Sequence, residues 1–95
     1  MSSEIEGGRE VYKYPLQWLI GAVQKLPIPS EADVLTAQIQ GGALVIWAST
    51  PVNYKATGRA FKILGTGNGE VYSNDRYIST VQEGAFVWHV FEVIE

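Results

Sequence analysis

Cysteine is absent from the 95 residues, which excludes disulfides, thiolate metal sites and cysteine nucleophiles together. Histidine occurs once, at His89, so the commonest metal ligand and general base is limited to one side chain. No cationic excess exists either: seven Lys and Arg against ten Asp and Glu give a net charge of −3. Such a chain lacks the basic stripe that a nucleic-acid polymer requires, and none is expected as partner. Long apolar runs are missing too. Stretches such as Leu44 to Ala48 fall far short of the about 20 residues needed to span a bilayer. The polar, acidic start, Met1 to Glu10, has neither the cationic head nor the apolar core of a signal peptide. A cytoplasmic protein without a membrane partner is expected.

What is present is globular. Hydrophobic residues make up 46% and charged residues 18% of the chain, and the length suits one domain. A domain of this size buries only roughly 60–65% of the surface its unfolded chain exposes. With no disulfide, a regular sheet or self-association must supply the remaining stability, so a homo-oligomer is expected. Residues 1–9 read as a disordered tail and 10–95 as a single β domain.

Val11 to Tyr14 is a short β-type run that Pro15 stops. The next stretch is ambiguous. A strand from about Ala22 to Ile28 has the edge, with a helical turn at Leu16 to Ile20 as the alternative. The centre reads as a hairpin: Val34 to Gln40, the turn Gly41-Gly42, then Ala43 to Ser49. A two-residue turn there pairs Ile39 with Leu44, Ala37 with Ile46, and Leu35 with Ala48, an apolar face that must be core. Trp47 lies on the opposite face among polar neighbours and suits a subunit contact or a half-covered packing position. A second hairpin runs from Tyr77 to Gln82, turns at Glu83-Gly84, and returns through Ala85 to Glu95. It pairs Val81 with Phe86, Ser79 with Trp88, and Ile78 with His89. The returning strand is apolar on both faces, so it is central or covered twice. Arg59 to Leu64 supplies one more strand. The expected fold is all-β, a small antiparallel sandwich or barrel of six to seven strands.

Few residues point to chemistry. Gly65-Thr66-Gly67-Asn68-Gly69 follows a strand but lacks both the dinucleotide spacing and the Gly-Lys-Ser/Thr ending. Ser73-Asn74-Asp75 is turn chemistry, so no helix follows to lend its dipole. The loop's amides can still form an anion nest, with a plain connector as the other reading. His89, flanked on its face by Val87 and Phe91, reads as a neutral, hydrogen-bonded core residue. One histidine and scattered carboxylates give no metal site and no cofactor site. Glu70, Asp75, Glu83 and Glu92 sit at turns or near the chain end and read as solvated. With the only imidazole buried, no nucleophile has a base, and no enzyme is expected. Lys55, Arg59, Lys62 and Arg76 flank the glycine loop and are four of the seven cations. They suit a phosphate or carboxylate.

Ile63-Leu-Gly-Thr-Gly-Asn68 and Tyr77-Ile-Ser-Thr-Val-Gln-Glu-Gly-Ala-Phe-Val-Trp-His-Val-Phe-Glu92 resemble a family of small proteins of tailed bacteriophages and prophages. Its C-terminal half carries a GTG loop and a TVQ-x-G-x-FVWHVFE signature, and the likeness spans roughly Val11 to Glu92. Asn68 stands where that family commonly has histidine, and Ser79 where it commonly has glycine. The resemblance implies an origin and no particular activity. A phage protein without catalytic residues suits counter-defence in the host cell cytoplasm, through sequestration of an anionic, nucleotide-like immune signal. Trp47, Trp88 and His89 would contact the base, while Arg59, Lys62, Arg76 and the amides of Gly65, Thr66, Gly67 and Asn68 would hold phosphate. The alternative is a protein–protein module, either an inhibitor of a host defence enzyme or a minor virion component.

Overall fold

A computed structural model of the chain describes residues 8–95, arranged as seven strands with antiparallel ladders. One sheet has the order β1 (Arg9–Leu16), β4 (Ala43–Pro51), β3 (Asp33–Gln40). The other has the order β2 (Gln24–Leu26), β5 (Arg59–Gly65), β7 (Phe86–Val93), β6 (Asp75–Glu83). The sheets face each other across Phe61, Ile28, Leu44, Ile46, Ile63 and Val90, all fully buried. The fold is a small all-β sandwich, as the alternating patterns require. Among the described residues no helix is long and apolar enough to cross a membrane.

Most of the expected tail, residues 1–7, lies outside the described residues; Arg9 already belongs to β1. That strand runs through Pro15 to Leu16 instead of stopping at Tyr14. As an edge strand it has ladder bonds on one side only, where proline is tolerated. The ambiguous stretch contains only the three-residue β2, because Gly21 takes a φ of 86° and Pro27 follows. Leu16 to Ile20 is no helical turn: Leu16 closes β1, and Ile20 makes a lone parallel bridge to Ile63.

The central hairpin closes as expected. Gly41 and Gly42 both have positive φ, 58° and 82°, which a primed turn requires. Ile39 pairs with Leu44 and Ala37 with Ile46, but Ala48 faces Val34 instead of Leu35. A bulge between Val34 and Thr36 absorbs Leu35 and leaves it 52% exposed, outside the core. The second hairpin has another register. Gly84 (φ 60°) is the first central turn residue and Ala85 the second, matching the turn type that takes glycine first. Val81 therefore pairs with Trp88, Thr80 with His89 and Ser79 with Val90, and a bulge absorbs Ile78. Strand β7 is central, as its two apolar faces demanded.

Strands β3 and β6 form the seam between the sheets. The Ser79 hydroxyl lies 2.9 Å from Thr36 Oγ1 and accepts the Ala37 amide at 2.9 Å. At the other seam, the Gln24 side-chain amide bonds both the N–H and the C=O of Gln17, at 2.8 and 2.7 Å. Ser79→Ala strands the buried Ala37 N–H without a partner. It should cost about 1–3 kcal/mol in chemical denaturation, and an unchanged midpoint would contradict the seam assignment.

Candidate functional site

The residues expected to bind one ligand are divided between opposite ends of the sandwich. Strand β5 joins the two ends, with Arg59 at its start and Gly65 at its finish. Six steps at about 3.3 Å each separate them by roughly 20 Å. No mononucleotide spans that distance between its base and its phosphate.

The Gly65 end is aromatic and hydroxyl-rich. Trp88 packs across from Trp18 with ring centroids 6.0 Å apart, and Phe86, 61% exposed, stacks on Trp88 at 5.6 Å. The loop position that requires glycine is Gly69, whose φ is 99° and where a Cβ would lie 2.8 Å from Leu64 Cδ2. Trp88 Nε1 is buried with no hydrogen-bond partner among the described residues. His89 is not in the core. It is half-buried on the outer face, with Nε2 2.7 Å from Thr66 Oγ1 and Nδ1 3.0 Å from Thr80 Oγ1. The register shift explains the hydroxyl partner, since it places Thr80 opposite His89 where Ile78 was expected. The face follows from the side of β7 opposite Trp88 and Val90, which turn inward. The single imidazole therefore does sit beside a hydroxyl, contrary to the expectation that no nucleophile has a base in reach. Its second nitrogen meets the Thr80 hydroxyl, where a catalytic triad places a carboxylate. Gly65, Thr66, Gly67 and His89 border a small hollow of about 180 Å³ whose remaining walls, Leu64, Val71 and Phe91, are apolar. Asn68 exposes its side chain on the neighbouring surface.

Lys62 does not reach into the glycine loop as an anion ligand. It is buried on the outer face, with Nζ 2.6 Å from Asp75 Oδ2, 3.2 Å from the Glu70 carbonyl and 4.9 Å from the Tyr72 ring centre. It pins the far half of the loop onto the sheet. Asp75, expected to be solvated, has a side chain only 1% exposed. Burial pushes its carboxyl pKa up, but the Lys62 hydrogen bond, the Tyr72 amide and the Lys62 charge together hold it below the usual value. Trp47 lies on the outer face of the other sheet, half-buried, with the Lys13 ammonium 5.9 Å from its ring. It belongs to neither end.

The Arg59 end is ionic. Glu92, also expected to be solvated, is 4% exposed and accepts two hydrogen bonds from Arg59, at 2.6 and 2.9 Å. Arg59 Nη1 also donates to the carbonyls of Pro29 and Ala32, at 3.1 and 2.6 Å. Hydrogen bonding to Glu92 raises the guanidinium pKa above its ordinary value; burial opposes, and the Glu92 and Asp33 charges add to the rise. Arg76 approaches the same carboxylate from the solvent side at 3.2 Å, with its side chain 62% exposed. Asp33, mostly exposed at the mouth, is held by Arg9 at 3.2 Å.

Between these charges lies a cleft of about 210 Å³, walled by Val34, Leu35 and Ile78 and floored by Arg59, Arg76 and Glu92. Its origin is the pair of bulges. Leu35 and Ile78 drop out of the β3 and β6 ladders on strands that pack against each other, so the seam gapes where Ser79 no longer bridges it. A second hollow of about 400 Å³ continues past Arg59, Arg76 and Glu92 toward Val93. Sequence reasoning named Arg59 and Arg76 but missed Glu92, although its place on the inward side of β7 after Trp88 and Val90 was a usable signal. Nothing in the sequence announced the bulges.

These features define a small β-sandwich with a charged cleft at a bulged seam and an aromatic, hydroxyl-rich opposite end. Among the described residues no group of three or more His, Cys, Asp and Glu is placed to hold a metal ion. The chain belongs to the family described as Domain of unknown function (DUF7352), whose profile matches residues 8–95. Neither the curated proteins nor the solved structures offered a match.

Proposed function

We propose that this protein is a non-catalytic binding module that takes an anionic ligand in the cleft beside Arg76. One observation carries the reading. Glu92 is already satisfied by Arg59, and Arg76 makes a single hydrogen bond among the described residues, leaving most of its five N–H donors for a ligand. Arg59 is the positioning residue, holding Glu92 while two backbone carbonyls hold it in turn. The biological setting is the one the sequence resemblance implies: phage counter-defence in the host cytoplasm, by sequestering an anionic immune signal. Stacking on Trp88 is not part of the reading, because Trp88 lies at the far end of β7 from Glu92. A host protein is the second reading, favoured by Leu19, Ile20 and Val23, each at least 40% exposed beside the β2 edge. A homo-oligomer covering Trp47 or the β1 edge is compatible with either.

Native mass spectrometry of the protein taken gently from infected, defence-positive cells is the test. The expected result is a copurifying anionic compound that is absent from Arg76→Gln and depleted by rising salt. A host protein that copurifies equally with Arg76→Gln, or an anion retained by Arg76→Gln, would overturn this reading.

A further inference from the structure

We infer that the anion suited to the Arg76 cleft is the free carboxylate of an extended peptide's last residue, whose apolar side chain lies on Leu35 and Ile78. This narrows the anion-binding reading and rests on it. Four features of the cleft point the same way.

The first is charge. Arg59 and Arg76 against Asp33 and Glu92 give 2 − 2 = 0 in the lining of the cleft, and Arg9 neutralises Asp33 from outside it. A monoanion adds the least negative charge to a lining that is already balanced. A diphosphate or cyclic dinucleotide would bring at least two negative charges close to Asp33 and Glu92, in a chain of net charge −3. The second is donor geometry. A guanidinium presents coplanar N–H pairs that fit both oxygens of a carboxylate. Arg76 retains such a pair while one Nη2 hydrogen stays on Glu92.

The third is the wall. Val34, Leu35 and Ile78 are apolar, and Leu35, 52% exposed at the cleft, offers an apolar surface to a ligand side chain. At about 210 Å³ the cleft is smaller than the roughly 300–1,000 Å³ of ordinary small-molecule pockets. The cleft by itself admits one side chain and its carboxylate, and a longer ligand has to extend past Arg59, Arg76 and Glu92 into the adjoining hollow of about 400 Å³. The fourth is the backbone. Strands β3 and β6 are both edges of their sheets, so each has a ladder partner on one side only. Beside the cleft, at Val34 and Leu35, an extended chain can add to the β3 edge as in strand addition, short of Ala37, whose N–H Ser79 already holds.

The test uses a random decapeptide pool made twice, once with free C-termini and once amidated. Each pool is passed over the immobilised full-length protein, and retained peptides are read by mass spectrometry. The expected outcome is retention from the free-acid pool of peptides ending in Val, Leu or Ile. Their affinity by fluorescence anisotropy should fall at least tenfold on amidation and at least tenfold in Arg76→Gln. Leu35→Ser, an exposed position whose change should leave the melting temperature nearly unaltered, should weaken the same peptides several-fold. Equal retention of acid and amide pools would overturn the inference. If no peptide is retained but pyrophosphate or ADP-ribose raises the melting temperature of wild type and not of Arg76→Gln, the carboxylate inference falls and the anion site stands. If peptides, pyrophosphate and ADP-ribose all fail to bind, both fall.

Discussion

Replacing Asp75 with alanine is expected to cost about 3–5 kcal/mol of stability, one of the largest single losses in this protein. Lys62 and Asp75 have side chains 8% and 1% exposed, so removing one leaves the other's charge buried and unpaired. The Tyr72 amide, 2.7 Å from Asp75 Oδ2, loses its acceptor as well, and the Glu70–Asn74 segment loses its clasp on the sheet. Hydrogen exchange at Tyr72 should therefore rise more than the global destabilisation alone predicts. Removing both charges by Lys62→Met with Asp75→Leu should recover most of the loss, because a buried pair rarely outperforms apolar residues of similar volume. A small effect of Asp75→Ala alone would show that water reaches the pair.

The same pair fixes a pH dependence. The Asp75 carboxyl titrates lower in the folded protein than its unfolded value of 3.8, so folding favours the ionised form. Its contribution is fully present above about pH 5 and is lost as the pH falls through the lowered value. Wild type should lose stability below about pH 4, and the doubly substituted Lys62→Met, Asp75→Leu protein should lose less over the same interval. Equal acid sensitivity of the two proteins would remove Asp75 as a cause.

The second large effect belongs to Glu92. Glu92→Gln keeps the shape but leaves Arg59, whose side chain is 13% exposed, without its counter-charge. A loss of about 3 kcal/mol is expected by urea denaturation, near the lower end for a broken buried pair because Pro29 and Ala32 still accept from Arg59. Arg76→Gln at the same carboxylate should cost no more than about 1 kcal/mol, since that guanidinium is solvated. The contrast separates a structural arginine from one available to a ligand. Equal losses from the two substitutions would contradict the division of labour at the cleft.

Local pattern determined a great deal of this fold. Alternation along Val34 to Ser49, with two adjacent glycines, suffices for a hairpin, because only glycine takes two successive positive φ values cheaply. The apolar run on both faces of Phe86 to Val93 requires a central strand, and β7 is one. The absence of cysteine excludes disulfides and thiolate chemistry by composition alone, and a single histidine limits imidazole chemistry to one position. Tertiary structure alone decided where the charges went. Lys62 and Arg59 are both cations on one strand, yet alternation sends Lys62 outward to Asp75 and Arg59 inward to Glu92. The surroundings of His89 depend on a register that one turn residue sets: moving Gly84 from second to first central position shifts the pairing by two residues, which keeps the face but puts Thr80 opposite the imidazole in place of the apolar Ile78. The bulges at Leu35 and Ile78, and with them the cleft, arise where two twisted sheets must meet at one seam. Such a fit depends on residues distant in sequence and leaves no signal in either strand alone.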